Sequence, residues 1–116
     1  MGNHAFLDFQ RCSCHEDILL HPSIGFESIL KIIQDSKLTI CKSDFFSFGE
    51  NMGYSGFAIL AESHVSVHTW PEKKMINADV YACNVSEDNL SKVEFIVDKL
   101  KNLFQPMDFT IKIIKR

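Results

Sequence analysis

Apolar residues along this chain follow two different periods, and the switches between them divide the chain into predicted elements. Alternation with a period of two predicts strands, and recurrence at every third or fourth position predicts helices with one buried face. The predicted strands cover residues 4–10, 38–48, 55–61, 64–69, 77–83 and 109–114, and the predicted helices cover residues 24–36 and 87–104. Ser23 and Ser86 precede these helices as expected caps.

The order of these elements predicts an α+β fold. We expect a two-layer sandwich in which a mostly antiparallel sheet carries two helices on one face. The segment 55–61 is apolar on both faces, so the face of the sheet without helices also needs a cover. A second copy of the chain would provide it, giving a homodimer with an αββα arrangement.

Polar residues with reactive side chains concentrate on two of the predicted strands. In the strand 64–69, one face carries His64, Ser66 and His68 and the other carries Val65 and Val67. The strand 77–83 places Asp79, Tyr81 and Cys83 opposite Ala78, Val80 and Ala82. One face of each strand packs, and the other is available for chemistry.

The length of 116 residues, 46% of them hydrophobic, predicts a single domain over residues 1–116 that buries roughly two thirds of its unfolded surface. A net charge of -3 and scattered lysines argue against nucleic acid or an anionic membrane as a partner. No apolar run approaches the ~18 residues of a membrane span, and the start of the chain lacks the regions of a signal peptide. We therefore expect a cytoplasmic protein.

Four cysteines, at positions 12, 14, 41 and 83, lack the regular spacing of a disulfide framework, so we expect free thiols. Cys12-Ser13-Cys14-His15 has the composition of a metal site. It lacks a second ligand pair at zinc spacing, and we predict no bound metal.

Ser63, His68 and Cys83 are candidate reactive groups, but hydrolase signatures do not fit them. Gly53-Tyr54-Ser55-Gly56 is followed by Phe57 where the nucleophile elbow G-x-S-x-G needs glycine. A Ser63-His68-Asp79 triad would lack the helix that usually supports the nucleophile. Taken singly, these residues also fit a turn serine, a packed histidine and a core cysteine.

The run from residue 61 to residue 72 changes this interpretation. It reads Ala-Glu-Ser-His-Val-Ser-Val-His-Thr-Trp-Pro-Glu and resembles ESH-x-x-x-HTWPE, the signature of the prokaryotic S-adenosylmethionine decarboxylases. The resemblance extends over the whole chain. Gly53-x-Ser55-Gly56 precedes the run as in that family, Asp79 and Cys83 follow it at family spacing, and Gly2-Asn3-His4 resembles the family's opening G-x-H.

The resemblance implies an enzyme that makes its own cofactor. The Glu62–Ser63 bond would be cleaved by the protein itself, giving chains 1–62 and 63–116. Ser63 would become a pyruvoyl group, whose carbonyl forms a Schiff base with the substrate amine and serves as electron sink for decarboxylation. The product would be the aminopropyl donor for spermidine biosynthesis.

The resemblance also assigns roles to individual residues. His68 would be the base in processing, and Ser55 would assist processing by a hydrogen bond near the attacked carbonyl. Glu62 would supply that carbonyl, and Cys83 would be the proton donor in decarboxylation. Strand alternation places positions 63 and 68 on opposite faces. We therefore expect the turn at 62–63 to re-aim Ser63.

Substrate contacts are expected from Glu72, Phe48 and Asp8. The chain departs from the family pattern at Phe45-Phe46-Ser47-Phe48, at residues 73–77, and at Asp8 where the family favours Glu. These departures concern the substrate, so S-adenosylmethionine has an alternative in ornithine or arginine. A non-processing regulatory or partner subunit is a further alternative, although it has no chemical need for the reactive residues.

Overall fold

A computed structural model describes residues 1–84 and 87–116. Over these residues the elements are β1 (Gly2–Cys12), α1 (Glu16–Leu20), α2 (Gly25–Asp35), β2 (Ile40–Ser47), β3 (Tyr54–Leu60), β4 (Ser63–Trp70), a 3-10 turn (Pro71–Lys73), β5 (Met75–Cys83), α3 (Leu90–Phe104) and β6 (Pro106–Lys115).

The strands form one antiparallel sheet in the order β2-β3-β4-β5-β1-β6. β1, from the start of the chain, lies between β5 and β6 from its second half. The predicted α+β architecture with a mostly antiparallel sheet is confirmed, with one short helix in addition to the two expected. None of the helices in the described ranges is long and apolar enough to cross a bilayer.

The apolar stripes of α2 and α3 pack on one face of the sheet, because residues spaced by three or four positions share a side of a helix. Their buried side chains meet those of alternate residues in β1, β4 and β5 in one hydrophobic core. Gly56 of β3 lies directly beneath the ring of Phe26, so a β-carbon at this position would come within 2.4 Å of the ring. The packing therefore explains the glycine.

The helix starts differ from the predictions. α2 begins at Gly25 with Ile24 at the capping position and no side-chain cap, so the predicted capping role of Ser23 is wrong. Ser28 instead donates its hydroxyl hydrogen to the Ile24 carbonyl, at 2.7 Å. α3 begins at Leu90, and the predicted cap Ser86 lies outside the described residues.

The predicted loop after β1 contains the unpredicted helix α1. Its five residues are too few for an apolar period to be read, and only Leu19 is buried. The His15 ring accepts a hydrogen bond from the Asp17 amide, and the Leu19 carbonyl accepts one from the Thr69 hydroxyl at 2.8 Å. The first contact caps the start of the short helix, and the second fixes the helix against the end of β4.

We call the face of the sheet opposite the helices the open face. In the segment 55–61, predicted to be apolar on both faces, Gly56, Ala58 and Leu60 pack under the helices. Phe57 and Ile59 point to the open face and are 38% and 46% exposed in the single chain.

Candidate active site

The register of the central strands brings Ser55 and His68 together. Ser55 of β3 lies opposite His68 of β4, and cross-strand partners share a face of the sheet. The Ser55 Oγ and the His68 Nδ1 are 2.6 Å apart. The two residues to which the resemblance gives processing roles therefore meet on the open face, where the His68 ring is exposed. Within one chain, Ser55 lies at the opposite end of β4 from the Glu62 carbonyl.

An apolar cavity of about 330 Å³ opens beside this pair. Ser55 and His68 contribute its polar groups, and Phe46 and Phe57 contribute aromatic walls. Asp44 adds a carboxylate. A cavity of this size and lining suits one flat organic group.

Asp8 lies on the same row of the sheet through Asn77. Asn77 of β5 lies opposite His68 of β4 on one side and opposite Asp8 of β1 on the other. The Asn77 amide donates to Asp8 Oδ1, and the Trp70 indole donates to Asn77 Oδ1, both at 2.7 Å. This chain of hydrogen bonds fixes Asp8 on the open face, two strands away from His68.

Phe48 and Glu72 lie at the same end of the sheet as His68. Phe48 follows β2, is 54% exposed, and packs edge-to-face on Phe46 with ring centroids 5.1 Å apart. Glu72 is exposed on the 3-10 turn and lines a cavity of about 760 Å³ that α1 also borders. The predicted substrate residues thus share the His68 end of the sheet, but none of them is among the described residues that line the cavity beside the Ser55–His68 pair.

Ser63 and Cys83 lie at the opposite end of the sheet. The Cys83 amide donates a 2.8 Å hydrogen bond to the carbonyl oxygen of Glu62. That carbonyl belongs to the peptide bond predicted to be cleaved. Cys83 and Ser63 are half-buried. The Cys83 backbone is therefore adjacent to the peptide bond that precedes the predicted cofactor precursor.

The expectation that the turn re-aims Ser63 toward His68 is wrong. Ser63 opens β4 in regular register opposite Ala82, a fully buried residue of the helix-side core. Its side chain thus shares the face of Ala82, whereas His68 lies on the open face. Five extended residues also separate the two along β4 by roughly 16 Å. Within one chain they do not meet.

Asp79 contacts His4 rather than His68, with Oδ1 at 3.1 Å from Nε2. Arg116 Nη1 lies 3.3 Å from the other ring nitrogen of His4. Because guanidinium only donates and a carboxylate only accepts, the His4 proton belongs on Nε2. This arrangement rules out the triad drawn from Ser63, His68 and Asp79 within one chain.

His64, which follows Ser63, belongs to the same part of the open face. It packs edge-on against Tyr81 and His4. Burial, and then the nearby His4, lower the pKa of His64 below its ordinary value, while Asp79 partly opposes that effect. Its imidazole is therefore neutral at neutral pH.

The cysteines of the Cys12-Ser13-Cys14-His15 cluster are shielded thiols. Burial, reinforced by Cys14, raises the pKa of Cys12 to about 12, and burial also raises the pKa of Cys14. In residues 1–84 and 87–116, no three His, Cys, Asp or Glu side chains are grouped closely enough to hold a metal ion.

One contact at the cleavage site had no signal in the sequence. The Glu62 carboxylate accepts a 3.0 Å hydrogen bond from the backbone amide of Thr39. Every residue except proline carries such an amide, so no residue type marks this partner. Only the fold identifies it.

Comparisons with known proteins identify relatives of this chain. The family described as S-adenosylmethionine decarboxylase matches residues 3–116. The S-adenosylmethionine decarboxylase proenzyme of Pyrococcus furiosus is 37% identical over 79% of this chain, and that of Pyrobaculum arsenaticum is 47% identical over 86%. The matched parts are 66% and 78% of those proteins, and 64% of the Thermococcus onnurineus proenzyme. Matches to two of these three relatives thus span just under two thirds of their length.

A solved structure has the same fold. The crystal structure of the adenosylmethionine decarboxylase from Aquifex aeolicus superposes with a TM-score of 0.86 at 26% sequence identity. The superposition covers 100% of this chain and 90% of that one.

Proposed function

The chain belongs to the S-adenosylmethionine decarboxylase family, and we propose that it is a self-processing, pyruvoyl-dependent decarboxylase of S-adenosylmethionine. The observation that carries the proposal is the hydrogen bond from the Cys83 amide to the Glu62 carbonyl, at the bond that the signature marks for cleavage. The product would be the aminopropyl donor for spermidine biosynthesis.

Cleavage would begin with an acyl shift. The Ser63 Oγ bonds to the Glu62 carbonyl carbon, the carbon–nitrogen bond breaks, and the hydroxyl proton passes to the nitrogen, so that an amide becomes an ester and an amine. A base then removes the Ser63 α-hydrogen, and the Cβ–oxygen bond breaks. Glu62 leaves as a carboxylate and dehydroalanine remains. Addition of water and loss of ammonia give the pyruvoyl group.

The Cys83 amide supports the first step. As Oγ adds, negative charge develops on the Glu62 oxygen, and the amide N–H already lies 2.8 Å from it. A donor fixed before reaction stabilises this charge without reorganisation, and removal of one such donor in other enzymes costs about 10²-fold or more.

The surroundings of Ser63 fit a pyruvoyl group. The residue opens a strand at the end of the sheet, is half-buried, and has the Cys83 backbone beside it. When present, the pyruvoyl group supplies an electron sink for decarboxylation. Cys83 would deliver a proton from its thiol to the product carbon.

His68 would act on the Ser63 of a second copy. A homodimer that packs the open faces together with the strands reversed places the His68 end of one copy over the Ser63 end of the other. The α-hydrogen of Ser63 points away from its side chain, so a base arriving from the open face need not meet the hydroxyl. Exposed Phe57 and Ile59 on this face favour such a cover.

The substrate would then lie between the two copies. Phe48 offers a ring for stacking on adenine, and Asp8 and Glu72 offer carboxylates for hydroxyl or amine groups. All three lie at the His68 end of their own chain, so in the reversed dimer they would meet the Ser63 end of the partner.

Intact mass spectrometry with borohydride trapping tests the proposal. We expect two chains, residues 1–62 and 63–116, with a pyruvoyl start on the second. That chain should gain an adduct from S-adenosylmethionine and none from ornithine or arginine. A single uncut chain, in a folded sample, would contradict self-processing. An adduct only from an amino acid would contradict the substrate.

A further inference from the structure

The side chain of Glu62 is hydrogen-bonded to the residue that precedes β2, beside the cleavage site. Its carboxylate accepts the Thr39 amide at 3.0 Å, and the Ala61 amide donates to the Thr39 carbonyl at 2.9 Å. On the other side, the Glu62 carbonyl accepts the Cys83 amide. Residue 62 is therefore held from the β2 side and from the β5 side.

Thr39 belongs to a well-anchored connection between α2 and β2. The Ser36 hydroxyl donates to the Ile33 carbonyl at 2.5 Å and accepts from the Leu38 amide at 3.2 Å. Leu38 and Ser36 are buried. The amide that meets the Glu62 carboxylate is thus presented by a turn that the core holds in place.

These contacts restrain only one half of the bond to be cleaved. They hold the acyl half, which contains the attacked carbon, whereas the described residues offer the Ser63 hydroxyl no hydrogen-bond partner. An attack succeeds when the carbonyl stays fixed while the nucleophile turns toward it. A carboxylate makes a stronger acceptor for this purpose than a neutral group.

On the basis of the proposed self-cleavage, we propose that the Glu62 carboxylate is a positioning residue for the acyl shift. Its hydrogen bond to the Thr39 amide fixes the acyl half of the Glu62–Ser63 bond, and the Cys83 amide fixes the carbonyl direction. The carboxylate itself forms no bond and transfers no proton. The role differs from that of the Glu62 backbone carbonyl, which is the group attacked.

The test compares two replacements of similar length. Glu62→Gln keeps an acceptor oxygen for the Thr39 amide, and Glu62→Met removes it. We expect Gln to cleave within about threefold of the unchanged chain and Met to cleave at least about tenfold more slowly. The smaller Glu62→Ala serves as a second acceptor-free variant, and Glu94→Ala, an exposed carboxylate on α3, is the control. Cleavage is followed by intact mass over time, with melting temperatures as the check on folding.

Hydroxylamine separates positioning from a later role. It splits esters, so it should release little extra fragment from Glu62→Met if the acyl shift is the slowed step. Immediate splitting of this variant would overturn the proposal, and so would Met cleaving as fast as Gln. If the unchanged chain itself stays uncut, the proposed function fails instead, which the same time course reveals.

Discussion

The Ser55 Oγ lies 2.6 Å from the His68 Nδ1, across β3 and β4. A hydroxyl both donates and accepts, so this contact is compatible with either tautomer of the His68 ring. In the tautomer whose Nδ1–H donates to Ser55, the lone pair on the other ring nitrogen is free for proton abstraction.

Replacement of Ser55 by alanine should slow self-cleavage about tenfold, less than the ~10²–10⁴-fold that a general base itself contributes, because Ser55 only orients His68. Ser55→Thr keeps the hydroxyl and should cleave at a rate close to that of the unchanged chain. Cleavage is measured by intact mass over time. Equal rates for the alanine and threonine variants would show that the hydroxyl has no part in processing.

The separation of Ser63 from His68 predicts complementation between inactive variants. Ser63→Ala and His68→Ala should each remain uncut when expressed alone. When the two are co-expressed with different tags, the His68→Ala chain should be cut, since its Ser63 meets the His68 of the other chain. The Ser63→Ala chain stays whole because it lacks the nucleophile.

Sequential affinity purification on the two tags of the co-expressed sample tests whether mixed dimers exist. If mixed dimers form and neither chain is cut, the composite arrangement is wrong. The predicted αββα dimer would then need another orientation.

The buried hydroxyl of Thr69, close to His68 in the sequence, should contribute measurably to the unfolding free energy. This hydroxyl accepts the Tyr54 amide at 2.9 Å and donates to the Leu19 carbonyl. Thr69→Val keeps the shape but leaves both groups unpaired, which should cost about 2 kcal/mol of unfolding free energy. Urea unfolding measures it. A loss below about 0.5 kcal/mol would mean that water replaces the hydroxyl.

Gly56 predicts a steric effect. A β-carbon there would lie 2.4 Å from a Phe26 ring atom, so Gly56→Ala must displace the ring or the strand. Overpacking of this kind costs about 1–3 kcal/mol. Gly49→Ala provides a comparison. The added carbon at Gly49 would meet only the Met52 side chain, at 3.7 Å, so any loss of unfolding free energy there comes from the positive φ.

The lowered pKa of His64 predicts how the unfolding free energy depends on pH. Its pKa in the folded chain lies below the unfolded value of about 6.5. Between those values the unfolded chain binds more protons, so the unfolding free energy rises with pH and falls on acidification. His64→Gln should flatten this slope in urea titrations at about pH 5.5 and about pH 7.5. His21→Gln, an exposed histidine, is the control, and an unchanged slope in His64→Gln would contradict the assignment.

The sequence predicted the faces of β4 and β5 correctly. Apolar and polar residues alternate along these strands, because one face packs against the helices and the other does not. It did not predict α1, since five residues with one buried leucine carry no period. It also missed the distance between Ser63 and His68. Residues that lie close together in a signature take part in the same reaction, but they need not meet within a single chain.

The strand order determines how the cleaved protein would stay folded. Cleavage after residue 62 would assign β1, β2 and β3 to one chain and β4, β5 and β6 to the other, and β1 is inserted between β5 and β6. The two fragments would be interleaved rather than adjacent, so neither would retain a complete sheet alone. Once denatured, the pair could reassemble only through a second-order encounter. The working lifetime would then be set by how slowly the interleaved sheet opens.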